Sequence, residues 1–150
     1  MLKRSYLKLI LSAALIGGVS LSVMAADTPA SLAGAKVVKA DEAKKLADAG
    51  AAMIDTRVAT ENAEKTIKGA KNVVYKEKSA KAADFDVSVD QFDLTKLPAD
   101  KAAPIVFFCN GPECWKSYKG STAALKAGYS KVFWFRGGMP EWVAAGLPTQ

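Results

Sequence analysis

The sequence has no histidine and only two cysteines, Cys109 and Cys114, in 150 residues. The first absence excludes histidine-based triads, imidazole general bases and histidine metal ligands together. Two cysteines alone cannot complete a structural zinc site, so no metal site and no cofactor are expected. There is no internal repeat and no low-complexity tract, and nothing marks a second domain. Lysines are spread along the chain instead of gathering in a stripe, which argues against nucleic acid as a partner. Any covalent chemistry here must activate its nucleophile without imidazole.

The N-terminus reads as a targeting segment. Lys3, Arg4 and Lys8 precede an uncharged apolar and small stretch from Leu9 to Val23, and Val23-Met24-Ala25 offers small residues for cleavage. That is the pattern of a secretory signal peptide over 1–25, cut after Ala25. The rival is an uncleaved anchor, because the apolar stretch is only a little short of a membrane span. Glycines and serines within it favour cleavage, giving a periplasmic protein with no stable membrane association. The mature chain would have 150 − 25 = 125 residues, and its formal charge would fall from +6 to +3 (21 − 3 basic against 15 acidic). That size suits one domain. The small excess of positive charge favours small anionic substrates.

The mature part alternates strand-like and helix-like stretches. A short leader, 26–35, precedes strands expected at Lys36–Ala40, Ala51–Asp55, Asn72–Tyr75, Ile105–Phe108 and Lys131–Phe135. Helices are expected at Asp41–Ala49, with Gly50 beyond its end, at Trp115–Ala127, with Gly128 beyond, and at Pro140–Ala145. Val58–Lys65 fits one or two helical turns. Ser79–Asp84 is a further helical stretch, and Phe85, Val87 and Val89 alternate like a strand. Asp86–Lys101 is expected to be a long surface connection held by Phe92, Leu94 and Leu97. Alternating strands and helices imply an α/β fold with a parallel sheet of about five strands flanked by helices.

The chemistry concentrates between Pro104 and Ser117. Ile105–Phe108 is wholly apolar and stops at Cys109; Asn110-Gly111-Pro112 is loop chemistry; a helical stripe through Trp115, Tyr118, Thr122 and Leu125 follows. A thiol therefore stands where a buried strand hands over to a helix-opening loop. In a parallel α/β sheet this is the ligand crevice, where free N–H groups and the helix dipole favour an anion such as thiolate. Cys109 is either that nucleophile or a small buried apolar side chain. In an oxidising compartment two cysteines commonly pair. A Cys109–Cys114 bridge would close too short a loop to be an effective staple, and suits exchange chemistry better.

Further motifs flank this stretch. They are Ile54-Asp55-Thr56-Arg57, then Glu61 and Ile67-Lys68-Gly69-Ala70; Val106-Phe107-Phe108-Cys109; and Gly128-Tyr129, Val132, Gly137-Gly138, Trp142 and Gly146-Leu147-Pro148. In this order they resemble the rhodanese-like domains, a sulfurtransferase fold, over roughly Lys36 to Pro148, with the domain reaching from 36 to 150. The resemblance implies that Cys109 is the persulfide-bearing nucleophile. Around that cysteine the substrate-binding loop is read as Asn110, Gly111, Glu113, Cys114, Trp115 and Lys116. Asp55 and Arg57 fall on the family's Asp-x-Arg pair, read here as an ion pair tying strand to loop. Many active members carry arginine five residues after the cysteine, where this chain has Cys114. Cys114-Trp115 is similar to a secreted subgroup with a Cys…Cys-Trp element. A phosphatase of related fold would need arginine one residue further on, and Trp115 is there.

Without histidine, thiolate character at Cys109 has to come from the loop N–H groups, the start of the following helix and Lys116. Lys116 either screens an anionic donor or is simply solvated. Trp115 reads as packing, and Ser117 either donates to the sulfur or lies in the helix. Three functions remain. The leading one is a periplasmic sulfurtransferase of the thiosulfate type, or a persulfide carrier. It would move sulfane sulfur from thiosulfate or polysulfide to cyanide, a small thiol or a protein acceptor. The others are a thiol–disulfide module using both cysteines, and a catalytically inactive protein-binding module.

Overall fold

The computed structural model describes residues 26–150, and the expected signal peptide lies outside the described residues. Five strands form one sheet: β1 (Ala35–Val37), β2 (Ala52–Asp55), β3 (Lys71–Asn72), β4 (Ile105–Phe108) and β5 (Val132–Phe135). Their order is β1-β5-β4-β2-β3, and every pairing is parallel. Four helices accompany them: α1 (Ala40–Asp48), α2 (Ala59–Glu64), α3 (Trp115–Lys126) and α4 (Gly138–Ala144). The expected parallel α/β sheet flanked by helices is what the chain forms. Among the described residues no helix is long and apolar enough to cross a membrane.

β4 lies in the middle of the sheet, and all four of its residues are buried. Side chains alternate across a strand, so β4 serves two cores. Val106 and Phe108 join Met53, Ile67, Phe135 and Trp142 on the face covered by α1 and α4. Ile105 and Phe107 join Ile54, Val73, Ala124 and Val132 on the face covered by α3. Burial on both faces is why the strand reads as an unbroken apolar run. Removing the ring of either phenylalanine would cost about 3–5 kcal/mol.

α3 departs from a one-sided amphipathic helix. Ser117, Lys119, Gly120 and Ser121 are buried along with Trp115, Tyr118, Ala123 and Ala124. The sheet covers one side, and the segment after β3 covers the other. Lys119 Nζ lies 2.8 Å from Glu77 Oε2, donates to Ser79 Oγ at 2.8 Å and stands over the Phe85 ring. Gly120 lets the helix approach the sheet closely, for a Cβ there would lie 3.3 Å from Thr56 Cγ2.

Several local expectations change, among them the third strand, which is Lys71–Asn72 where Asn72–Tyr75 was expected. Ser79–Asp84 is not helical but a run of bends and turns, and the Lys78 and Ser79 N–H groups donate to Asp90 Oδ1, at 2.6 and 2.7 Å. Val87–Val89 is a 3-10 turn capped by Asp86, with both valines exposed. Within the long connection Leu97 is buried and Phe92 packs on Tyr75 and Phe107, but Leu94 is exposed and lies outside the core clusters.

Candidate active site

The carboxyl ends of β2, β4 and β5 deliver Asp55, Cys109 and Arg136 to one end of the sheet, and Cys114 immediately precedes α3, its side chain making no cap bond. Cys109 is 1% exposed and forms a disulfide with Cys114, their Cα atoms 6.1 Å apart. The short loop turns tightly, with the Cys114 N–H donating to the Gly111 carbonyl at 3.0 Å. None of the Asn110, Gly111 and Glu113 N–H groups donates to a backbone acceptor among the described residues. Three donors are thus left in the turn that follows the buried sulfur.

Gly137 and Gly138 press the start of α4 onto this loop. Gly138 has φ +58°, and a Cβ there would stand 2.2 Å from the Cys109 carbonyl oxygen and 2.9 Å from the Gly111 nitrogen. The same approach lets the Met139 N–H donate to the Cys109 carbonyl at 2.9 Å. At Gly137 a side chain would collide with Glu141, whose Oε1 accepts from the Ala40 N–H and so satisfies the otherwise uncapped start of α1.

Asp55 and Arg57 form a buried ion pair. Arg57 Nη2 donates to Asp55 Oδ2 at 2.7 Å, and Asn62 and Thr66 donate to the same oxygen. Burial works to raise the Asp55 pKa, but the hydrogen bonds from Arg57, Asn62 and Thr66 outweigh it and hold the carboxyl below its ordinary value. The pair reaches the cysteine loop through Asn110, whose Oδ1 accepts from Arg57 Nη1 at 3.4 Å and whose Nδ2 donates to Glu61 at 2.6 Å. Asp55, Arg57 and Asn110 therefore form one network, anchoring the loop from the β2 side.

The other sequence candidates are placed as follows. Trp115 is buried, edge-on to Tyr118, with its indole N–H donating to the Ala26 carbonyl at 2.9 Å. Ser117 Oγ accepts from the Trp134 indole at 3.0 Å, inside the core. Lys116 is half-buried, and Glu113 is exposed. A cleft of about 440 Å³ along β3, lined by Asn72, Val74, Lys76, Phe92, Asp93 and Lys96, shares no residue with the cysteine loop. Thr28 touches the loop at Pro112 and Arg136 holds Thr28, yet both were invisible in the sequence, because these contacts join positions 84 and 108 residues apart.

A family model described as the rhodanese-like domain matches residues 39–145. The chain belongs to the rhodanese-like domain family. No curated protein matches its sequence. Among solved structures it is similar to a thiosulfate sulfurtransferase from Pseudomonas aeruginosa, at 21% identity and TM-score 0.56, over 77% of this chain. It spans only 20% of that larger protein. It is also similar to the polysulfide-sulfur transferase homodimer from Wolinella succinogenes, at 20% identity and TM-score 0.57, covering 79% of this chain and 80% of that one. The BH2092 protein from Bacillus halodurans gives 18% identity and TM-score 0.58, with 77% of each chain covered. At these identities the likeness is one of fold.

Proposed function

We propose that this rhodanese-like protein is a periplasmic sulfurtransferase or persulfide carrier working through Cys109. The observation that carries the reading is the position of Cys109: a buried sulfur at the end of β4, followed by a loop with three N–H groups without backbone acceptors that leads into the start of α3. Such a setting stabilises an anion on sulfur. Once an external dithiol has reduced the Cys109–Cys114 bridge, the Cys109 thiolate attacks the outer sulfur of thiosulfate, sulfite leaves with the bonding pair, and a Cys109 persulfide remains. An acceptor thiolate or cyanide then takes the terminal sulfur, returning the Cys109 thiolate. Polysulfide serves equally as donor, leaving one sulfur shorter; both donors are named for structural neighbours of this fold. The two half-reactions predict ping-pong kinetics. Parallel double-reciprocal lines with a sulfane donor and cyanide are expected, and intersecting lines would overturn the two-step scheme. Export is tested by N-terminal sequencing of the periplasmic protein, which should begin at Ala26.

A second reading is favoured by the Cys109–Cys114 disulfide. In it, the Cys114 thiolate attacks the inner sulfur of a Cys109 persulfide, hydrosulfide leaves, and the bridge forms. An external dithiol must then reopen it by exchange. Persulfide on the Cys114→Ser variant should therefore outlast that on wild type, with less sulfide released. Equal decay in the two proteins would leave Cys114 without a resolving role.

A further inference from the structure

Residues 26–34 lie as a strap against the cysteine loop, and Thr28, 3% exposed, is its pivot. The Thr28 N–H and hydroxyl both donate to the Pro112 carbonyl, at 2.8 and 2.6 Å. Arg136 holds Thr28 in turn: Nη2 donates to its carbonyl at 2.7 Å and Nε to its Oγ1 at 3.1 Å. The strap is fastened on both sides of this point. Trp115 donates its indole N–H to the Ala26 carbonyl, and Leu32 packs on the cluster of Phe85, Trp115, Tyr118 and Trp134.

A trans peptide carries its C=O and N–H on opposite sides of one plane, and no cis peptide occurs among the described residues. With the Pro112 carbonyl held by two donors from the strap, the Glu113 N–H must point away from the strap. Pro112 has no N–H of its own, so Glu113 supplies the loop's donor between Gly111 and Cys114. That N–H meets no backbone acceptor among the described residues.

We propose that Thr28, held by Arg136, is a positioning residue for Cys109. It sets the Pro112–Glu113 peptide plane so that the Glu113 N–H is aimed at the sulfur anion of the reduced protein. The inference rests on the reading of Cys109 as the working nucleophile. Each N–H aimed at a thiolate or persulfide favours the charged form. Releasing the Pro112 carbonyl lets the plane turn, and the loop loses a donor although no residue of the loop has changed.

The test is alkylation of the reduced protein with iodoacetamide across pH, with peptide mass spectrometry separating Cys109 from Cys114. Thr28→Val removes the hydroxyl and leaves the Pro112 carbonyl held by the backbone N–H alone, and Arg136→Leu loosens the whole of residue 28. Both should move the Cys109 profile to higher pH, slowing its labelling below neutral pH about three- to tenfold. Thr28→Ser, which keeps the hydroxyl, should follow wild type. An unmoved Cys109 profile in both folded variants overturns the proposal. Should Thr28→Val lose its cooperative thermal transition, Arg136→Leu decides alone. The readout is ionisation, not sulfur transfer. A shifted profile in a protein that never forms a persulfide would uphold the clamp and refute the sulfur-carrying reading; persulfide formation with an unmoved profile would do the reverse.

Discussion

At Asp55 one carboxylate receives the Arg57 guanidinium, the Arg57 backbone N–H, Asn62 and Thr66. Arg57 is itself buried, so removing the carboxylate strands a cation away from water. Asp55→Ala should therefore destabilise the protein by about 3–5 kcal/mol, read as a lower midpoint in urea unfolding. A loss under about 1 kcal/mol would mean that the pair is no more than a surface contact in energy. This pair was legible in sequence because Asp55 and Arg57 fall on the Asp-x-Arg pair of the family the chain resembles. Cys109 was legible on local pattern alone: strand, loop and helix follow one another without interruption. Thr28 and Lys119 were not, since each acquires its meaning from a segment that only the fold brings near.

Among the elements, β4, α3 and β5 were plain from their apolar runs and helical spacing. The segment after β3 was not. Ser79–Asp84 forms bends and turns where a helix was expected, and Ser79 is tied to Asp90, eleven residues beyond it. α4 begins two residues before the expected Pro140, which its first turn tolerates because those N–H groups have no helical partner anyway. The start of α4 also carries a prediction. Gly138→Ala combines a left-handed φ with a Cβ driven into the Cys109 carbonyl. It should cost at least about 2 kcal/mol and loosen the cysteine loop. Thermal unfolding checks the first effect, and faster reduction of the Cys109–Cys114 bridge by a small thiol checks the second. A variant as stable as wild type would contradict the close approach of α4 and loop.

Across the whole molecule, two carboxylates tie distant segments together and titrate below the ordinary range. Asp90 joins Tyr75, Lys78 and Ser79. Burial pushes its pKa up, but the hydrogen bonds from Ser79, Lys78 and Tyr75 bring it to about 2. Burial and the bond to Asp90 raise the Tyr75 hydroxyl in turn. Because Asp55 and Asp90 are more acidic folded than unfolded, the unfolded chain takes up protons first as pH falls. Their stabilisation is complete above the ordinary carboxylate value of about 4 and is lost as pH drops through the folded values. Melting temperature should fall across that window, to about pH 2 for Asp90, and Asp90→Asn should flatten part of the fall. A flat profile in wild type would contradict it.

The fold itself and the family were readable from order and spacing, since the motifs sit at strand ends and helix starts throughout. Chemistry at Cys109 is the claim on which the functional account turns. It is tested most directly by treating the reduced protein with thiosulfate or polysulfide and locating added sulfur by peptide mass spectrometry. One extra sulfur on the Cys109 peptide, absent in Cys109→Ser and retained in Cys114→Ser, is the predicted result. No added sulfur at Cys109, or loading that depends on Cys114 alone, would contradict it.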